Sequence, residues 1–264
     1  MKGILTAAAL LLCICAGGCA KVDEPSMPAA DSTADNEAGE IRQLFSETTV
    51  TSQKESGPKL LDVENIMQEP ELPTGCECVS LTMLLNYLGY AADKLEIARY
   101  HLPKMPFYWE EGELYGADFR VCFAGDPEEP DAYGCYAPCI EAAADSYLSS
   151  RGFEAEADDI TGTEFDELLT DYIDEDNPVL IWVTSNDLHE TEPTAVWKTP
   201  GGEEVQWKSY EHCVVLTGYD RDNSLIYVSD PLYGNTFYDR KRIQERYMDM
   251  GQQAVCIEKK DQQQ

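Results

Sequence analysis

Leu72-Pro73-Thr74-Gly75-Cys76-Glu77-Cys78-Val79-Ser80 runs directly into Leu81-Thr82-Met83-Leu84-Leu85-Asn86-Tyr87-Leu88. Leu81, Leu84, Leu85 and Leu88 recur at i, i+3, i+4 and i+7, the apolar period of a helix, and Gly89 closes it. Met83 and Tyr87 fall on another face, so this helix is expected to be buried nearly all round. Thr74 and Glu77 are spaced as a capping box, with Thr74 at the N-cap and Glu77 three residues on, each satisfying a free backbone N–H. That puts Cys76 in the first turn, where unpaired N–H groups and the helix dipole favour a thiolate. The Glu77 carboxylate beside it would raise the thiol's pKa, an effect limited if the capping box turns it toward the N-cap. A cysteine held this way suits a nucleophile, which then needs a base, a group to orient the base, and donors for an oxyanion.

Downstream, helices are expected first: a short one over 93–100, then 138–151 ending before Gly152, then 163–173 with Thr163 as N-cap. Between them, 103–134 is irregular and rich in Pro, Gly and aromatic residues. From residue 178 the pattern becomes β. Strands are predicted over 178–183, 195–198, 205–208, 213–217, 225–228, 235–238 and 253–257, with 239–250 helical. Helices first and an antiparallel sheet after them is an α+β arrangement.

His212 opens the apolar strand His212-Cys213-Val214-Val215-Leu216, about 136 residues after Cys76. A histidine at a strand end projects into a cleft or caps the strand. His101 and His189 lie in polar, Pro-containing or acidic surroundings that fit the surface. Asp230 ends the strand beginning at Leu225, about 18 residues after His212. A strand–turn–strand of that length returns Asp230 to the side of His212, where a carboxylate fixes the imidazole tautomer. An Asp-Pro pair also simply starts turns. Gln68, eight residues before Cys76, offers an amide to an oxyanion together with the Cys76 backbone N–H, although a lone Gln is ordinarily a surface residue. The order Cys, His, Asp with these gaps parallels the papain-like spacing of about 130–150 residues between Cys and its downstream partners.

The segment Gln68-Glu69-Pro70-Glu71-Leu72-Pro73-Thr74-Gly75-Cys76-Glu77, with Ser80 and Leu84-Leu85-Asn86-Tyr87-Leu88-Gly89, resembles the nucleophile helix of the bacteriocin-processing-peptidase-like cysteine peptidases. Phe123-Ala124-Gly125-Asp126-Pro127, Tyr133-Gly134-Cys135-Tyr136-Ala137-Pro138, His212-Cys213-Val214-Val215-Leu216-Thr217-Gly218-Tyr219-Asp220 and Ser229-Asp230-Pro231 are similar to the same family. The resemblance implies a papain-like fold, with N-terminal helices packed on an antiparallel sheet. It implies Cys76 as nucleophile, His212 as general base, Asp230 as orienting acid and Gln68 as oxyanion donor, acting on a peptide or protein without a cofactor. Bacteriocin-processing members carry Cys-Gly-Pro at the nucleophile, whereas this chain has Cys76-Glu77-Cys78. Cleavage of double-glycine leaders therefore does not carry over.

The 264-residue chain is 43% hydrophobic, and its net charge of −31 comes from 50 acidic and 19 basic residues. Such a surface repels nucleic acid and anionic headgroups, which leaves solubility or a preference for basic peptides as its meaning. Lys2, the apolar run 4–15 and the small residues Ala16-Gly17-Gly18 read as a secretory signal peptide over 1–18. Cys19 directly after them resembles a bacterial lipobox cysteine, acylated to anchor an exported protein on the outer face of the membrane. Residues 19–58 are polar and read as a flexible tether, leaving 59–260 as one domain. Of 10 cysteines, seven fall in that domain, an odd number compatible with one free nucleophile and three disulfides, with Cys78 structural or bridged. Three histidines and no paired C-x-x-C knuckles argue against zinc. A silent surface-binding module, displaying Phe107-Tyr108-Trp109, Trp197 and Trp207, is the alternative to an enzyme, and a cell-wall amidase or transpeptidase would use the same triad.

Overall fold

A computed structural model describes residues 57–259. The expected signal peptide, the tether and Cys19 lie outside the described residues. The strands, in chain order, are β1 Lys59–Leu60, β2 Lys104–Met105, β3 Tyr108–Glu110, β4 Glu113–Tyr115, β5 Phe123–Ala124, β6 Ala155–Asp159, β7 Val179–Thr184, β8 Pro193–Lys198, β9 Glu204–Lys208, β10 Glu211–Asp220, β11 Leu225–Asp230, β12 Gly234–Asp239 and β13 Ala254–Lys259. The main sheet has the order β12-β11-β10-β7-β13-β6, with β1 also paired to β10, and every pairing in it is antiparallel. A smaller sheet, β3-β4-β8-β9, stands apart from it. This is the α+β architecture expected from the order of elements.

The longer helices are α1 Cys76–Tyr87, α2 Ala137–Arg151 and α3 Arg240–Asp249. α1 packs on β10 and β7, α2 on β6 and β13, and α3 on β7, β11 and β12. All six residues of Val179-Leu180-Ile181-Trp182-Val183-Thr184 are buried, as a continuous apolar run in a central strand requires. α1 is buried from Cys76 through Leu85, which matches the expectation of a helix covered nearly all round. Truncating it should therefore be costly. Leu84→Ala removes a fully buried side chain from the main core, and the expected loss is about 2–5 kcal/mol, read as a lower urea midpoint.

Gly218 is where the chain's entry meets the sheet. A bulge interrupts the β10–β11 register between Leu216 and Gly218. A Cβ on Gly218 would stand 2.2 Å from the Lys59 carbonyl oxygen, so only glycine lets β1 lie against β10 there.

Several local expectations shift. The helix expected over 163–173 starts one residue later, with Glu164 and Glu167 making the capping box, and it passes into a π-helical turn over Leu168–Ile173. The predicted strand pair 195–198 and 205–208 forms, as β8 and β9, but in the small sheet. There Trp197 and Trp207 are buried with Phe119, Ala117, Val205 and Ala124, and Phe107, Tyr133 and Tyr136 pack around them. These two tryptophans therefore form a second core and are not displayed for binding. The seven described cysteines are all free thiols, six of them buried, so the three disulfides compatible with their number do not form and Cys78 is an unbridged core residue.

Candidate active site

Cys76 is the first residue of α1, as the spacing predicts, but the cap is not the expected one. Gly75 is the N-cap and has no side chain to offer. Thr74 Oγ1 instead donates to the Glu129 carbonyl at 3.0 Å, tying the helix start to the 126–129 turn. Without the capping box, Glu77 is not held at the helix end. Its side chain turns inward and is wholly buried. Glu77 Oε1 accepts the Cys135 backbone N–H at 2.7 Å, and Oε2 accepts the Cys76 thiol at 3.3 Å.

His212 and Asp230 meet as the spacing implies. His212 on β10 lies opposite Val183 of β7, one strand from Asp230 at the end of β11. His212 Nε2 and Asp230 Oδ1 are 2.9 Å apart, and both side chains are almost entirely buried. Asp230 Oδ1 also accepts the backbone N–H groups of Leu232 at 2.7 Å and Tyr233 at 3.2 Å, so the Asp-Pro turn and the His partner are one device. Burial alone would raise the Asp230 pKa. The His212 hydrogen bond and charge and the two N–H groups outweigh it, and the carboxyl is held below its usual value. With Nε2 engaged, Nδ1 is the ring nitrogen left for another partner. The other two histidines are elsewhere: His101 Nδ1 meets Ser146 Oγ at 3.0 Å, and His189 packs edge-on against Tyr210.

Gln68 is buried beside this pair. Its N–H donates to the Pro231 carbonyl at 2.9 Å, directly after Asp230, and its own carbonyl accepts the Leu72 N–H. The side-chain amide reaches back to the segment before the nucleophile, with Nε2 donating to the Pro73 carbonyl at 2.8 Å. Oε1 is buried without a hydrogen-bond partner.

The electrostatics around Cys76 reverse the expectation of a stabilised thiolate. Burial pushes the thiol well above its usual value, and the nearby carboxyls of Glu77 and Glu211 push it further, while the Cys213 backbone N–H pulls weakly the other way. Burial likewise raises Glu77 to about 7, against the opposing pull of the Cys135 N–H and the His212 charge. Glu211, at the start of β10, is raised well above its ordinary value by burial and by Glu77, and its Oε1 is buried with no hydrogen-bond partner. The two carboxyls converge over Gly134. A Cβ there would stand 2.5 Å from Glu77 Oε1 and 2.9 Å from Glu211 Oε2, so the glycine gives them room. Sγ and one oxygen of each carboxyl lie within 4.8 Å of one another. Both Glu77 oxygens already accept from N–H and S–H donors, which makes the group a proton-holding cluster and not a cage of free ligands for a cation.

Glu77 raises the thiol as its place beside Cys76 predicts, without the limit that a capping box would set, whereas Glu211 is not anticipated; its signal is an acidic residue immediately before His212.

Residues 60–255 match the Peptidase_C39 like family. The protein YvpB of Bacillus subtilis (strain 168), which is uncharacterized, is 32% identical over 233 residues, covering 87% of this chain and 84% of YvpB. The crystal structure of a candidate C39-like peptidase from Bacillus anthracis superposes with a TM-score of 0.66 at 30% identity, over 78% of this chain and 99% of that one. The fold agrees with the papain-like α+β arrangement that the sequence resemblance implies.

Proposed function

This chain belongs to the Peptidase_C39 like family, and from that premise we propose that it is a thiol-dependent peptidase using Cys76, His212, Asp230 and Gln68. The observation that carries the reading is the buried 2.9 Å His212–Asp230 pair, with His212 on the strand packed against the helix that begins at Cys76. Asp230 holds the proton of Nε2 and leaves Nδ1 to take the proton of the Cys76 thiol. The thiolate attacks the peptide carbonyl. The oxyanion is held by the Gln68 amide and the Cys76 backbone N–H, which lies in the helix's first turn where no intrahelical partner exists. Imidazolium then protonates the leaving amine, and the neutral ring activates water to hydrolyse the thioester. Gln68 reaches its Pro73 carbonyl through one amide hydrogen, so the other is free for this task.

In this reading the domain is exported and held on the outer face of the membrane by a lipid on Cys19. Its substrates are peptides or unfolded proteins, with a preference for basic ones that follows from the acidic surface. The alternative of a silent binding module loses Trp197 and Trp207, which are buried, and keeps Tyr108 and Trp109, which are exposed.

Incubation of the purified protein with unfolded basic proteins and with cell-wall stem peptides, read by mass spectrometry, tests the reading. Specific cleavage is expected, together with selective labelling of Cys76 by a peptidyl thiol-reactive probe. Absence of cleavage, with slow and uniform labelling of all accessible thiols, would overturn it. Cleavage confined to stem peptides would make the enzyme a cell-wall amidase.

A further inference from the structure

The mechanism leaves two carboxyls unused, the buried Glu77 and the half-buried Glu211, and both stand against the nucleophile. We propose that Glu77 and Glu211 are a proton-sharing pair that gates Cys76, favouring transfer of its proton to His212 while Glu77 is protonated and holding it as a thiol once Glu77 ionises. The gate deepens the peptidase reading and rests on Cys76 being its nucleophile.

The geometry carries the argument. Glu77 Oε2 is 3.3 Å from Cys76 Sγ, closer than any other charged oxygen recorded for that sulfur. Glu77 Oε1 and Glu211 Oε2 converge on the space over Gly134. Two carboxyls this close cannot both ionise easily, so one proton stays between them. The groups facing Glu77 are Cys76 and Cys78 from α1, Glu211, His212 and Cys213 from β10, and Cys135 from the segment before α2, while Tyr136 faces Glu211. Behind Cys78 lie Lys104 and Asp126, which are paired with each other at 2.7 Å. Among the described residues that face Glu77, His212 is the one able to carry positive charge, and the rest are neutral or acidic.

The sign follows. Below neutrality Glu77 is protonated, and a thiolate faces a neutral carboxyl. As pH rises through about 7, Glu77 becomes negative. A negative charge hydrogen-bonded to the sulfur at 3.3 Å opposes a thiolate more strongly than it supports the His212 imidazolium, whose pull on Glu77 is the weaker influence, so the reactive ion pair becomes scarcer. The fold is linked to the same proton. The native state holds it more tightly than the unfolded chain, so stability is fully present at low pH and falls as pH rises through the Glu77 range.

Alkylation of Cys76 by iodoacetamide, in which sulfur displaces iodide, tests the gate without a peptide substrate when read by peptide mass spectrometry. Glu77→Gln mimics the protonated acid and cannot ionise. Its rate should match the wild type within about twofold near pH 5.5 and exceed it roughly tenfold near pH 8. Glu211, raised by burial and further by Glu77, keeps the shared proton while Glu77 ionises, so Glu211→Gln should keep the decline in rate near the wild-type pH. Equal rates for Glu77→Gln and wild type near pH 8, or a change by the same factor at both pH values, overturn the gate. A decline that disappears in Glu211→Gln does so too, since the gating proton would then sit on Glu211, even if Glu77→Gln fails to fold. A gated alkylation profile in a protein that hydrolyses no peptide supports the gate and overturns only the peptidase reading.

Discussion

Cys76→Ala is expected to abolish hydrolysis, lowering kcat by a factor on the order of 10⁴ or more, while the protein stays folded. The size follows from the chemistry: without the sulfur no thioester forms, and only the positioning of substrate and the oxyanion donors remain. The stability should change little. Cys76 sits at the end of α1 and not in its middle, its side chain is small, and its hydrogen-bond partner Glu77 keeps the stronger bond from the Cys135 N–H. The measurement is steady-state hydrolysis beside thermal unfolding of the same preparation. A variant that keeps its Tm and its full activity would remove Cys76 from the mechanism, and a collapsed Tm would make the loss uninformative, in which case Cys76→Ser serves as the closer replacement.

Asp230→Asn is the second large effect. It should lower kcat by about 10²–10⁴ with little change in KM, because the amide no longer selects the imidazole tautomer that leaves Nδ1 facing the thiol. It should also reshape acid stability. In the wild type the folded-state pKa of Asp230 lies below its unfolded value, so its contribution is present above the ordinary aspartate range and is lost as pH falls through the depressed value. In Asp230→Asn that part of the acid limb disappears, and the stability curve below about pH 4 flattens. Urea midpoints taken across that range read the change. An unaltered acid limb would mean that Asp230 carries no charge of consequence in the folded protein.

The place of Cys76 at the head of α1 and the pairing of His212 with Asp230 were legible because they are written in long, strongly patterned elements. The leucines recurring at helical spacing after Gly75 point to a buried helix with Cys76 at its head, and the gap from His212 to Asp230 is the length of one strand, a tight turn and another strand. What escaped was decided by contacts between distant segments. Thr74 has the chemistry of a cap, yet the Glu129 carbonyl claims it, and that exchange sends Glu77 inward. Ala155-Glu156-Ala157-Asp158-Asp159 forms β6 although acidic residues disfavour strands. It is an edge strand in which only the two alanines face the core, and its register is set by β13. The odd cysteine count suggested bridges in an exported domain, but a core this large does not need them, and the thiols pack as small apolar groups.

The second core gives the molecule an optical consequence. Of its four tryptophans, Trp182, Trp197 and Trp207 are buried and Trp109 is 72% exposed, so native and solvated indole contribute separable emission. Two of the buried rings are wired to the site. Trp182 Nε1 donates to the Cys135 carbonyl at 2.8 Å, and the Trp207 ring lies over Gly134, at 3.1 Å from where a Cβ would be. A change of charge on the carboxyls beneath that glycine is thus felt by the indoles as an electric field, and tryptophan emission becomes a gauge of the ionisation state beside Cys76.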